Sequence, residues 1–199
     1  MPRSKEQLEQ LRKEKKKLIM DVALDLFAHK GFHATSISEL AQGAEISKGL
    51  IYTYFTSKQE ILRELTELAI GKIYANFDYA QDGTLSSEEF VFFIRESFRI
   101  VKDNMVFWQL YTGLMLQPGI MELLGDEYRN PEGRSKRLVQ ALIRFLERSG
   151  SRDPQGDLMV IASMIKGGFL YAITAPDAFP LAVLEEKIIN ACFRLLKNG

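Results

Sequence analysis

The residues Ser47-Lys48-Gly49-Leu50-Ile51-Tyr52-Thr53-Tyr54 put an ammonium, two aliphatic hydroxyls and two phenols into one short run. These groups donate hydrogen bonds and carry positive charge, which suits phosphate oxygens and base edges rather than bond-breaking chemistry. Gly49 leaves the backbone uncovered where a partner would approach. Groups that could do other chemistry are sparse. His29 and His33 lie close together but far from Cys192, the single cysteine, so no zinc-type ligand set is expected. Residues 80–199 show no catalytic constellation, so no catalytic residue, metal or cofactor is expected. Asp78 to Glu89 matches a calcium-binding EF-hand loop at its first, fifth, sixth, eighth and twelfth positions, but Ala80 stands where an oxygen ligand is needed. That loop is the alternative reading, a calcium-binding or protein-interaction helical module.

The elements that must position the run are legible from periodicity. Residues 5–17 are strong helix formers and lead into Leu18, Ile19, Val22, Ala23, Leu26 and Phe27 at helical spacing, with Gly31 as the left-handed stop. Thr35 or Ser36 caps a short helix over about 37–44, Glu39 completing a capping box with Ser36. Ser47 caps a second over 48–54, and Ser57 opens a long third to about 77. Three short helices followed by a long connector are the pattern of a helix-turn-helix, whose second helix must fit a major groove about 12 Å wide. Ala41 and Ala44 are small enough for a close crossing. Ile37, Leu40, Ile46, Ile51 and Phe55 supply the local core. Lys48, Leu50, Thr53 and either Tyr52 or Tyr54 are left to face outward, the other tyrosine bracing the module.

Charge supports an anionic partner for this end. The totals are 26 basic and 26 acidic side chains, but residues 1–58 hold ten Lys/Arg against seven Asp/Glu, a net of +3. Seven of those ten bases fall within 1–17, where Arg3, Lys5, Arg12 and Lys13 could flank phosphates or a minor groove. With 46% hydrophobic residues the chain can bury a sizeable core. No run approaches the ~20 consecutive apolar residues of a membrane span, and residues 1–30 lack an apolar signal core. A lone cysteine fits a reducing compartment. A cytoplasmic protein with no membrane partner is therefore expected.

Gly31-Phe32, Thr35-Ser36-Ile37, Glu39-Leu40-Ala41, Ala44, Ile46-Ser47-Lys48-Gly49, Ile51-Tyr52-Thr53-Tyr54-Phe55, Ser57-Lys58 and Ile61-Leu62 together closely resemble the DNA-binding domain of TetR-family transcriptional regulators. The upstream Ala23-Leu24-Asp25-Leu26-Phe27 fits that family's first helix, and the resemblance covers about residues 17–63. It implies that Lys48, Gly49, Leu50 and Tyr52 lie nearest the bases, that Thr35, Tyr54 and Lys58 meet phosphate, and that Ser47 belongs to the same DNA-binding set. Hydroxyls and an ammonium at helix starts are suitable phosphate donors. One position departs from the pattern. The family commonly has glycine in the turn where this chain has Glu45, and a left-handed non-glycine residue costs on the order of 1 kcal/mol.

The fold class expected is all-α. Residues 1–58 form the helix-turn-helix domain, with 1–17 a basic helical extension, and 59–199 form a helical ligand-binding and dimerisation domain. Helices are expected from Ser86 or Ser87 to about 102, from Asp103 or Asn104 to 116, over 121–128, 134–148, 157–174 and 181–197, with 150–156 a loop. The 157–174 helix is apolar nearly all round and must be covered on more than one side. With the last helix it is expected to build a two-fold dimer interface through Ile161, Ile165, Gly168, Leu184, Ile188, Cys192 and Leu195, as the family resemblance also implies. Large flexible apolar side chains suggest a ligand pocket from Phe93, Phe107, Trp108, Tyr111, Met115, Met164 and Phe169. The partners implied are double-stranded DNA carrying a two-fold symmetric operator, a second copy of the chain and an unknown small molecule that releases a repressor.

Overall fold

The computed structural model describes residues 4–74, 83–129, 134–175 and 180–197. Among them the chain is helical and holds no strand. It divides into two compact units, residues 1–69 with 110–128, and residues 70–109 with 129–199. The boundary read from the sequence at 58/59 lies where the next helix starts. Helix α4 (Lys58–Tyr74) runs on past it, and a segment distant in sequence packs with the N-terminal helices.

In the first unit, α1 spans Lys5–His29 as one 25-residue helix. Ser4 caps it, its Oγ accepting from the Gln7 amide while the Gln7 side chain accepts from the Ser4 N–H, so two orphan donors are satisfied reciprocally. Ile19, Met20, Ala23, Leu24 and Phe27 form its buried stripe. Gly31, at φ 98°, turns the chain out of the helix. Helices α2 (Ile37–Gly43) and α3 (Lys48–Tyr52) follow, and Leu40, Ala41, Ala44, Ile51 and Phe55 are buried. A Cβ on Gly43 would stand 2.8 Å from Val22 Cγ1, so α2 crosses α1 at a point only glycine allows.

In the second unit, α5 (Ser87–Asp103), α8 (Arg134–Arg148), α9 (Pro154–Thr174) and α10 (Leu181–Lys197) enclose an apolar core. Phe90 stacks on Phe145 at 4.8 Å between ring centroids, and Phe98 meets Phe169 edge-on at 5.0 Å. Helix α6 (Met105–Met115) contributes to both units, and α7 (Ile120–Arg129) is broken at Gly125. Helix α9 begins three residues earlier than the sequence reading placed it. Asp153 is the N-cap and Pro154 the first helical residue, so the last three residues of the segment read as a loop belong to the helix's own first turn.

Most of the residues expected at a dimer interface pack on the chain's own core. Ile161, Ile165, Gly168, Ile188 and Cys192 are buried within the chain's own core, and Leu195 packs against it. A Cβ on Gly168 would lie 2.5 Å from Phe98 Cζ and 2.8 Å from Ile188 Cδ1, so the small residue serves helices of one chain. Burial pushes the Cys192 thiol up to about 11. What α9 leaves outward is its other side, with Met159 at 71% exposed and Tyr171 at 57%, together with Val160, Leu170 and, on α10, Val183. By length and composition α9 could cross a membrane, but its Ile161, Ile165, Gly168 and Ala172 side is packed in the core.

The residues expected to line a ligand pocket are distributed over both units. Phe93, Met164 and Phe169 belong to the core of the second unit or pack on it. Tyr111 and Met115 lie in the first unit, whereas Phe107 and Trp108 lie in the second. A cleft of about 250 Å³ in the second unit is lined instead by Lys102, Met105, Tyr171, Ala172, Ala175, Leu181 and Leu184. The Ser97 hydroxyl on α5 is buried without a hydrogen-bond partner.

Candidate nucleic-acid interface

The geometry is set by the turn between α2 and α3. Ala44 ends α2, Glu45 takes φ 52°, the Glu45 N–H donates to Gln42 O at 3.1 Å and the Ile46 N–H to Ala41 O at 2.9 Å. This double bond pattern is a Schellman cap, with glutamate in the left-handed position that glycine fills most cheaply. The sequence identified Glu45 as the strained residue, and the backbone adopts the strained conformation there. Ser47 then starts α3, its Oγ accepting from the Leu50 N–H at 3.2 Å.

This arrangement leaves an exposed edge. Ser47, Lys48 and Gly49 are exposed, Leu50 is half-buried, and Tyr52 is 56% exposed. Of the two tyrosines, Tyr52 therefore faces outward. Tyr54 is half-buried, with the Arg12 guanidinium 5.9 Å from its ring centroid. The Thr53 hydroxyl is turned back onto Leu50 O at 2.7 Å. Around Gly49 a Cβ would meet nothing nearer than Ser47 Oγ at 3.9 Å, so the helix start is open to a closely approaching partner. Helix α1 adds Lys5, Lys13 and Lys15 as exposed cations, and Lys13 pairs with Glu9 at 3.1 Å. Arg3 lies outside the described residues.

Two residues expected to meet phosphate make hydrogen bonds within the protein. Thr35 is only 2% exposed, and its hydroxyl donates inward to Gly31 O at 2.8 Å. Lys58 lies over the Phe32 ring at 4.5 Å, and its ammonium donates to the carbonyls of Phe32 (2.6 Å), Thr35 (2.8 Å) and His33 (3.3 Å). Three acceptors take the three protons of an ammonium, so the lysine staples the α1–α2 corner. Burial pushes its pKa down from the ordinary lysine range. Both residues have the type and spacing of phosphate donors; only the fold reveals that nearer acceptors take their protons.

Sequence reasoning missed a third residue of this corner. Gln117, after α6, donates from Nε2 to Phe27 O at 2.6 Å and more weakly to Ala28 O at 3.5 Å, and its Oε1 accepts from the Phe32 N–H at 2.9 Å. A contact across 85 to 90 residues leaves no local signal. Helix α2 is held by the capping box that was expected. Ser36 Oγ accepts from the Glu39 N–H, and the Glu39 carboxylate accepts from the Ser36 N–H at 2.8 Å and pairs with Lys30. Those contacts, with Lys30 foremost, hold the Glu39 carboxyl down at about 2.

The calcium alternative rested on residues 78–89, of which 78–82 lie outside the described residues. Glu89, its last ligand position, accepts from the Ser86 N–H at 2.7 Å as the capping box of α5. Among the described residues no cluster of metal-ligating side chains occurs.

Residues 19–65 match the family model of bacterial regulatory proteins of the tetR family. The chain is 45% identical over 62 residues to the HTH-type transcriptional regulator YuxN of Bacillus subtilis, a stretch amounting to 31% of this chain and 21% of that protein. It is 31% identical over 71 residues to the HTH-type transcriptional repressor KstR2 of Mycobacterium tuberculosis, 36% of either chain. The chain thus matches between about a fifth and a third of the length of these curated relatives. The fold extends further. A TetR-like transcriptional regulator from Rhodococcus sp. RHA1 superposes with a TM-score of 0.68 at 18% identity, over 93% of this chain and 97% of that one. The helix-turn-helix stretch thus matches the tetR-family model, and the chain as a whole shares the fold of a solved TetR-like regulator.

Proposed function

We propose that the chain is a homodimeric, sequence-specific DNA-binding repressor, released by a small apolar or amphipathic ligand. The exposed edge of α3 carries the proposal: a capped helix start with Lys48, open Gly49 and outward Tyr52, standing on a buried three-helix core. That edge enters a major groove, Lys48 and Tyr52 reading base edges while Ser47 and Tyr54 meet the backbone. The basic extension of α1 adds sequence-independent attraction. A chromosomal target implies a cytoplasmic protein.

A two-fold operator needs two copies. The outward apolar side of α9, with Met159, Val160, Leu170 and Tyr171, is the face the second copy covers, its area supporting dimerisation where the core residues do not. The cleft beside Lys102 and Tyr171 supplies an apolar space with few polar handles, which suits an amphipathic inducer. Repression itself is supported by KstR2, which is named a repressor. The test is Lys48→Ala on binding to duplexes selected by the parent protein. The expected outcome is altered preference among sites with the fold intact. Unchanged preference and affinity would remove α3 from the interface.

A further inference from the structure

The α1–α2 corner is gripped from two sides. The Phe32 peptide gives its N–H to Gln117 Oε1 and its carbonyl accepts from Lys58, while the Gln117 Nε2 donates to the last-turn carbonyls of α1. Those carbonyls have no partner further along their own helix, so Gln117 acts as a long-range helix cap. The turn carrying it also lies against the corner, since a Cβ on Gly119 would stand 3.5 Å from His33 Nε2. Lys58 begins α4 and Gln117 follows α6, and each of these helices contributes residues to both compact units.

We infer that Gln117 is a positioning residue for DNA recognition: it fixes the angle at which α1 hands the chain to α2, and hence where the α3 edge stands. The inference rests on the DNA-binding reading above. Gln117 lies outside residues 19–65, the stretch that matches the family model, so nothing in that match assigns it a role. Its polar atoms reach only backbone groups of residues 27, 28 and 32. It contributes geometry, and no group that could touch DNA. A corner held in one arrangement before binding spares the ordering cost at the moment of binding.

The test uses the full chain with Gln117→Met, which keeps the length and removes the polar atoms, and Gln117→Ala beside it. Three quantities are read: the exchange rate of the Phe32 amide, the melting temperature, and affinity for a duplex selected by the parent protein. Loss of one hydrogen bond predicts exchange of the Phe32 amide about 10-fold faster. Loss of preorganisation predicts affinity about 10-fold weaker for the folded protein, with an unchanged slope against salt because no phosphate contact is removed. A lowered melting temperature with affinity of the folded protein within about twofold of the parent would make Gln117 merely structural and overturn the inference. If the parent selects no duplex, the functional reading fails by itself, and an unchanged Phe32 exchange rate would then separately overturn the clamp.

Discussion

The α1–α3 module and the α5–α8–α9–α10 core solve the same problem, burying an apolar stripe on each helix, by different means. The module's helix starts are fixed by neighbours in sequence: Ser4 with Gln7, Ser36 with Glu39, Ser47 with Leu50. The larger core has such caps at Ser86 and Asp153, but its packing depends on aromatic rings meeting across long stretches of chain, as Phe90 does with Phe145. Local stapling holds a surface edge rigid without burying it, which is what a reading surface needs. Nonlocal packing fixes a core but decides side-chain direction only once all its helices are present.

The sharpest way to break this contrast is Gly168→Leu. If Gly168 serves the chain's own core, the added side chain collides with Phe98 and Ile188 and stability falls by about 3 kcal/mol, measured by denaturant unfolding. A loss that depends on protein concentration, with little change in the unfolding of the monomer, would return Gly168 to the dimer face.

Lys58→Met sharpens the other side of the comparison. Removing charged hydrogen bonds to three carbonyls from a half-buried site is expected to cost about 1–2 kcal/mol of stability. The salt dependence of DNA affinity should stay unchanged, because the ammonium is already used inside the protein. If Lys58 held a phosphate, the slope of log affinity against log salt would fall by about 0.9.

Glu45→Gly is expected to act in the opposite direction. Relief of the left-handed glutamate contributes up to about 1 kcal/mol, part of it offset by the greater freedom of glycine in the unfolded chain. The same change removes a negative charge beside the reading edge, so duplex affinity rises. A lower melting temperature would mean that the turn does not carry the strain its φ implies.

The smallest effect is one of pH. Glu39 has a folded-state pKa held down at about 2 against an ordinary value of 4.5, so its capping contribution is present above 4.5 and is lost as pH falls through 2. A carboxyl titration followed by NMR should find its midpoint near the lower value, and a midpoint at 4.5 would break the link to Lys30 and Ser36.

The contrast also explains what the sequence made legible. The all-helical fold and most helix ends, with the Glu45 turn and the outward edge at Lys48, are written in spacings of three or four residues. Asp153-Pro154 is equally local, an N-cap followed by a first-turn proline, but Gly150 and Gly156 bracket it as a loop would be bracketed. Gln117 was beyond reach, its partners lying 85 to 90 residues away. Ile188 and Cys192 lie on a stripe, and Ile161 and Ile165 on a helix apolar nearly all round, but an apolar face does not say whether its own chain or a second copy covers it. Thr35 and Lys58 carry groups that bond phosphate and backbone carbonyls equally well, so residue type alone could not choose.

The central claim is that the α3 edge of two copies reads a duplex. It is tested most directly by exposing the full chain to a pool of random duplexes and sequencing those retained. The account predicts enrichment of a two-fold symmetric site whose half-sites lie about one helical turn, or a multiple of it, apart. Retention without sequence preference, or an enriched site lacking two-fold symmetry, would contradict it.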